Sequence, residues 1–221
     1  GYLHGVETLC RKYGALLIFD EVVTGFRWAL GGAQEYFGVT PDLATFGKAM
    51  GNGYPIAAVV GRRDIMEKGA SYISGTFGGE AVSLAAAKAT IDIYRRDSVI
   101  KHLWDIGAYF QEQFNLRSLQ VSGAMPIVCA GYPVKPYITV AQGRPTLPGW
   151  EHPTPEQKRL LMSLFIQEAA DHGVLIHPTS GNISFAHTRR DIDASLDGCA
   201  EALLTCYEAM SSSNTGAMDG A

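Results

Sequence analysis

The chain has 221 residues, 47% of them hydrophobic and 18% charged, and a net charge of −4. That balance describes an ordinary globular protein of one or two domains and offers no basic surface to nucleic acid. No window reaches the ~18 uninterrupted apolar residues of a membrane span, because Lys88 interrupts even the Ala-rich "AVSLAAAKATI".

In chain order, Leu3, Val6, Leu9 and Tyr13 recur at helical spacing and stop at Gly14, which reads as a C-cap. The run "ALLIFD" that follows is short and apolar, which predicts a buried strand. Further short strands are expected at 42–48 ("DLATFGK"), 56–61 ("IAAVVG") and 72–77 ("YISGTF"), joined by Gly-rich connections. From Glu80 a long helix runs through Arg96, and Asp97 and Ser98 offer an N-cap for a second one, "VIKHLWDIGAYFQEQF".

A domain boundary is placed there, giving units 1–97 and 98–210. The second reads as a smaller α+β domain with strands at "MPIVCAG", "PYITV", "VLIHP" and "NISFAH". Between them lies a helix with Thr154 as N-cap, Pro155 in its first turn and Gln157 completing a capping box. A last helix is expected from about Asp191 to Met210, and the polar tail 211–221 reads as disordered.

The chemistry-bearing residues sit in the first unit. Asp20 and Glu21 close the most apolar strand, and in an open α/β sheet ligands gather at the carboxyl ends of strands. Val22 would share the face of Asp20 if the strand continued. On these residues alone a local role for either carboxylate, capping the next turn or pairing with Arg27, is the favoured reading, and a site needs a partner motif. Lys48 follows a second short strand and precedes a loop of small residues, a setting where an amine can lose its proton and attack a carbonyl. A phosphate-binding P-loop is excluded, since Ala49 follows Lys48 and Asp42 stands where the first glycine belongs. No G-x-G-x-x-G joins a strand to a helix, so a dinucleotide fold is excluded too.

Taken together, "LLIFDEVVTGFR", "PDLATFGKAMGNGYPIAAVVGRRDIM" and "SGTFGGEAVSLAAA" resemble, in order and spacing, the class III aminotransferase family of fold type I pyridoxal-phosphate enzymes. Within it the chain looks most like the glutamate-1-semialdehyde 2,1-aminomutase-like branch. The resemblance runs from residue 1 to about 210 and implies an α/β fold. Residues 1–97 would be the second half of a large domain, a mainly parallel sheet with helices on both faces, followed by the small C-terminal domain.

It also implies the cofactor, pyridoxal 5'-phosphate, and a role for each matching residue. Asp20 would pair with the protonated pyridine nitrogen, and Val22 would pack on one ring face. Lys48 would carry the cofactor covalently and then act as the base on the substrate carbon. Thr76 would donate to the cofactor phosphate, usually across a homodimer interface, with Gly75 letting the backbone approach. The substrate would be a small amino or oxo compound, in a transamination or in the aminomutase reaction itself.

Some features depart from the family pattern. Val23 stands where many members carry a glutamine, and Glu80 replaces the asparagine of "GGNP". Both point to a divergent subgroup. Family members are longer, so the chain looks like a C-terminal half, expected to lack the first strands of the sheet and to need an N-terminal partner. Arg189 and Arg190 are candidates for a substrate carboxylate but read as a solvated pair. The six histidines lack metal-ligand spacing, so no metal is expected. The N-terminus lacks a signal-peptide pattern and Cys10, Cys129, Cys199 and Cys206 read as reduced thiols, which together suggest a cytoplasmic protein with neither membrane nor nucleic-acid partners.

Overall fold

The computed structural model describes residues 1–69, 75–76, 78–123, 127–141, 152–177 and 181–215. They form two compact units, Gly1–Lys101 and His102–Ala221.

In the first unit, α1 (Tyr2–Tyr13) ends at Gly14 with φ 63°, the left-handed cap that only glycine adopts cheaply. Arg11 and Lys12 lie in its last turn, where cations suit the helix dipole. The strands are β1 (Ile18–Asp20), β2 (Leu43–Phe46) and β3 (Ala58–Gly61), in the order β1-β2-β3. β1 runs parallel to β2 with Asp20 opposite Thr45, and β3 is antiparallel with Phe46 opposite Ala58. Period-two alternation buries Ala44 and Phe46, which pack with Met50, Ala87, Phe19 and Phe26. Thr45 and Asp20 therefore face the other way. Helices α2 (Ala33–Phe37), α3 (Arg63–Gly69) and α4 (Ala81–Arg96) complete the unit.

The buried strand expected at "ALLIFD" is a correction. Only three of its residues form β1, and Leu16 and Ile18 are 49% and 57% exposed. Among the described residues β1 pairs with β2 alone, so its other edge carries no neighbour to cover those side chains. Of the strand expected at 72–77, only Gly75 and Thr76 are described, the latter in a turn.

The second unit holds most of α5 (Val99–Ser122), the hairpin β4 (Ile127–Tyr132) and β5 (Lys135–Val140), α6 (Pro155–Asp171) and α7 (Arg189–Thr215). Its core joins Phe114, Ile127, Phe165, Leu196, Cys199 and Cys206, with the rings of Phe114 and Phe165 edge to face at 5.9 Å. Asn115 bonds both the N–H and the C=O of Cys129, satisfying polar groups of β4 with a side chain. The capping box of Thr154 and Gln157 forms as expected.

Three further expectations are corrected. The segments "VLIHP" and "NISFAH" form no strand over their described residues, and one donor of each is taken locally. Val174 N–H closes the end of α6 on the Ala169 carbonyl, and Ser184 N–H donates to His187 Nδ1. Asp97 does not start α5: its N–H closes α4 on Ile93, its carboxylate holds Arg96, and Ser98 turns the chain at φ 52°. The last helix continues through Thr215, its serines adding Ser212 Oγ to the Glu208 carbonyl, while 216–221 lie outside the described residues.

Candidate active site

Adjacent carboxylates at a strand end meet opposite fates because side chains alternate. Glu21 points inward and is 1% exposed. Its carboxylate accepts from Ala33 N–H at 2.9 Å, Gln34 N–H at 2.7 Å and the Thr24 hydroxyl, fastening the loop after β1 to the start of α2. Gly32, at φ 87°, lies so close to this carboxylate that a side chain would strike it. Glu21 is thereby fully engaged in local structure.

Asp20 is exposed at the carboxyl end of β1. Its Oδ1 accepts from Val22 N–H at 3.0 Å and from the Thr45 hydroxyl at 3.2 Å. Oδ2 has no hydrogen-bond partner among the described residues. One strand over, β2 ends at Phe46, and Gly47 leads directly into Lys48. The Val22 side chain lies beside Gly47, where an added Cβ would meet its Cγ1 at 3.6 Å. Lys48 is exposed and opens a single 3-10 turn, Lys48–Met50, at φ 43°. Phe26 at φ 59° and Asn52 at φ 48° share this left-handed backbone, which costs a non-glycine residue on the order of 1–3 kcal/mol and gathers at functional loops.

Parallel pairing thus brings the ends of β1 and β2 side by side, with Asp20, Val22 and Lys48 on the segments leaving them. Gly75 and Thr76 are exposed in a turn closed by Gly78 N–H on the Gly75 carbonyl. No described hydrogen bond joins either to Asp20 or Lys48. Arg189 stacks on the Tyr109 ring at 3.2 Å and lies 3.7 Å from Asp193, so its guanidinium is engaged within the second unit.

Three residues have roles that the sequence did not assign to them. Asp42, fully buried, accepts from Leu17 N–H and from Arg11 and Arg62, contacts that hold its carboxyl well below the usual range. Its only signal was a charge opening an apolar strand. Thr45 could have been found from its register opposite Asp20. Glu80, placed at the start of the long helix and read as a departure from the family pattern, caps α4 by accepting from Val82 and Ser83 N–H, which lowers its carboxyl from the ordinary value. The described residues hold no cluster that could bind a metal ion, and no described helix is long and apolar enough to cross a membrane. Burial pushes the thiols of Cys129, Cys199 and Cys206 up to about 12, leaving them protonated and inert.

These placements define an α/β protein, and in such folds the carboxyl ends of parallel strands are where ligands gather. The chain belongs to the class-III aminotransferase family, whose model matches residues 1–203. It is 37% identical to a glutamate-1-semialdehyde 2,1-aminomutase from Syntrophobacter fumaroxidans over 94% of this chain and 48% of that one. A 3-aminobutyryl-CoA aminotransferase from Cloacimonas acidaminovorans is 38% identical over 92% and 47%. Among solved structures, the FumI protein of Sphingopyxis sp. MTA144 in its PLP internal aldimine form aligns with a TM-score of 0.83 at 26% identity, over 96% of this chain and 48% of that one. An omega-transaminase from Sphaerobacter thermophilus aligns at 0.79 and 27% identity, over 93% and 48%. The fold is that of fold type I transaminases, and the chain spans about half the length of the curated relatives it matches.

Proposed function

We propose that this chain carries the lysine-bearing part of a pyridoxal-phosphate enzyme that transfers the amino group of a small amino compound to an oxo acid. One observation carries the reading: a strand-end carboxylate with a free oxygen, Asp20 Oδ2, sits one parallel strand from an exposed lysine held in left-handed backbone. That donor set fits the cofactor, which needs an anion at its ring nitrogen and an amine at its carbonyl carbon. When bound, pyridoxal phosphate supplies a sink for the electrons left on the substrate carbon.

The residues of this chain do the rest. Asp20 keeps a proton on the ring nitrogen, because its charge stabilises the cation. Val22 presents an apolar surface to one face of the ring. Lys48 Nζ would hold the cofactor at rest and would serve as the base that takes a proton from the substrate carbon. Thr76 and Gly75 reach the phosphate of a second subunit in a homodimer, and the protein works in the cytoplasm.

A second reading, the aminomutase itself, is favoured by the motif "DEVVTGFR" and by the relative of that name. In either case a complementary N-terminal segment completes the site, a reading supported by β1 pairing with β2 alone among the described residues. Borohydride reduction of the protein with pyridoxal phosphate, followed by peptide mapping, tests the proposal. Label is expected on Lys48, gained by the chain alone or only after mixing with a relative's N-terminal segment, and absent in Lys48→Ala. Label on Lys12, Lys68 or Lys88 instead would overturn it.

A further inference from the structure

Resting on that reading, we infer that Thr45 is a positioning residue that decides which oxygen of Asp20 faces the cofactor. β2 alternates buried and half-buried residues, and a valine would suit position 45 as a strand residue as well as threonine does. What the hydroxyl adds is one bond, to Asp20 Oδ1 at 3.2 Å from the paired position of the neighbouring strand. Val22 N–H donates to that same oxygen at 3.0 Å.

Two donors on one oxygen fix the rotation of the carboxylate, a torsion that is otherwise broad. Oδ2, with no partner among the described residues, is then the oxygen presented to a ring N–H. The backbone donor alone would leave the carboxylate free to swing about a single contact. Thr45 touches neither substrate nor cofactor in this arrangement, and acts only through Asp20.

The experiment compares Thr45→Val, which keeps the shape and removes the hydroxyl, with Thr45→Ser, which restores it. In the cofactor-free chain, Thr45→Val should speed amide exchange at Val22 several-fold, since its acceptor is no longer held, while Thr45→Ser stays near the parent rate. In protein loaded with pyridoxal phosphate carrying 15N in its ring, Thr45→Val should move the ring-nitrogen resonance toward the unprotonated form. Cofactor retention should weaken about tenfold, as expected for one lost hydrogen bond to a charged group.

A merely structural threonine would lower the melting temperature of both forms without moving the ring signal. Unchanged Val22 exchange and ring resonance in Thr45→Val, or failure of Thr45→Ser to restore them, would overturn the inference. Reduction mapping on the same samples keeps the two ideas apart. Wild-type protein unlabelled at Lys48 sinks the reading of function, and the exchange measurement still decides whether Thr45 holds Asp20.

Discussion

Asp20 and Glu21 differ by one position along a strand and by nearly everything else. The inward residue has every oxygen committed to backbone and hydroxyl donors, while the outward one keeps an oxygen available. On the proposed reading, a neutral amide at the outward position could not hold a ring nitrogen protonated, whereas a linkage at Lys48 would not depend on it. Asp20→Asn should therefore leave the reducible adduct on Lys48 intact and lower kcat on the order of a hundredfold, the usual scale for one preorganised electrostatic contact. Single-turnover kinetics on loaded protein would check this, and an unchanged rate would remove Asp20 from its role. The adjacent "DE" is legible in the sequence, but the division of labour within it follows from strand alternation, which becomes visible only once the strand is placed.

At the scale of elements, buried Asp42 connects the end of α1 through Arg11, the entry to β1 through Leu17 N–H, and the segment after β3 through Arg62. Its carboxyl is depressed in the folded chain by these donors, so the unfolded chain takes up the proton first on acidification. The stabilisation is thus complete above the ordinary carboxylate value of about 4 and is lost as pH falls below it. Asp42→Asn should melt lower at neutral pH, and its loss of stability on acidification below about pH 4 should be shallower than in the parent. Thermal melts across that range decide it, and parallel curves for the two proteins would refute the linkage. A second joint is Gly107 on α5, where an added Cβ would overlap the carbonyl oxygen of Pro133 in the turn between β4 and β5. Gly107→Ala should cost about 1–3 kcal/mol, the scale of overpacking against backbone that must shift. Denaturant unfolding would measure it, and no change would mean the hairpin yields freely.

For the molecule as a whole, some of the exposed apolar residues lie on or beside the sheet of the first unit. Leu16 and Ile18 lie at β1, whose outer edge has no neighbour among the described residues, and Val59 and Val60 stand half-exposed on β3. Such an edge is a template for pairing with another chain segment. Substrate choice also belongs to this scale, because an aminomutase returns the amino group to the skeleton it came from, whereas a transaminase admits a donor and an acceptor in turn. Reconstituted protein given glutamate-1-semialdehyde alone is expected to stay inactive until a separate donor and acceptor are supplied. Clean conversion to 5-aminolevulinate without them would favour the aminomutase reading.

Sequence by itself determined the α/β class, the helix ends at Gly14 and Thr154, and the family, because caps, turns and motif spacings are local and survive in one dimension. It also marked Asp20 and Lys48, since a charge at the end of an apolar run stands out against its neighbours. Tertiary structure decided what depends on partners distant in the chain. The pairing of Asp20 with Thr45, the burial of Asp42 between Arg11 and Arg62, and the local capture of donors around Val174 and Ser184 fall in that group. Strand formation needs a neighbour of matching register, so apolar runs such as "VLIHP" read as strands until the absence of a ladder is seen among the described residues.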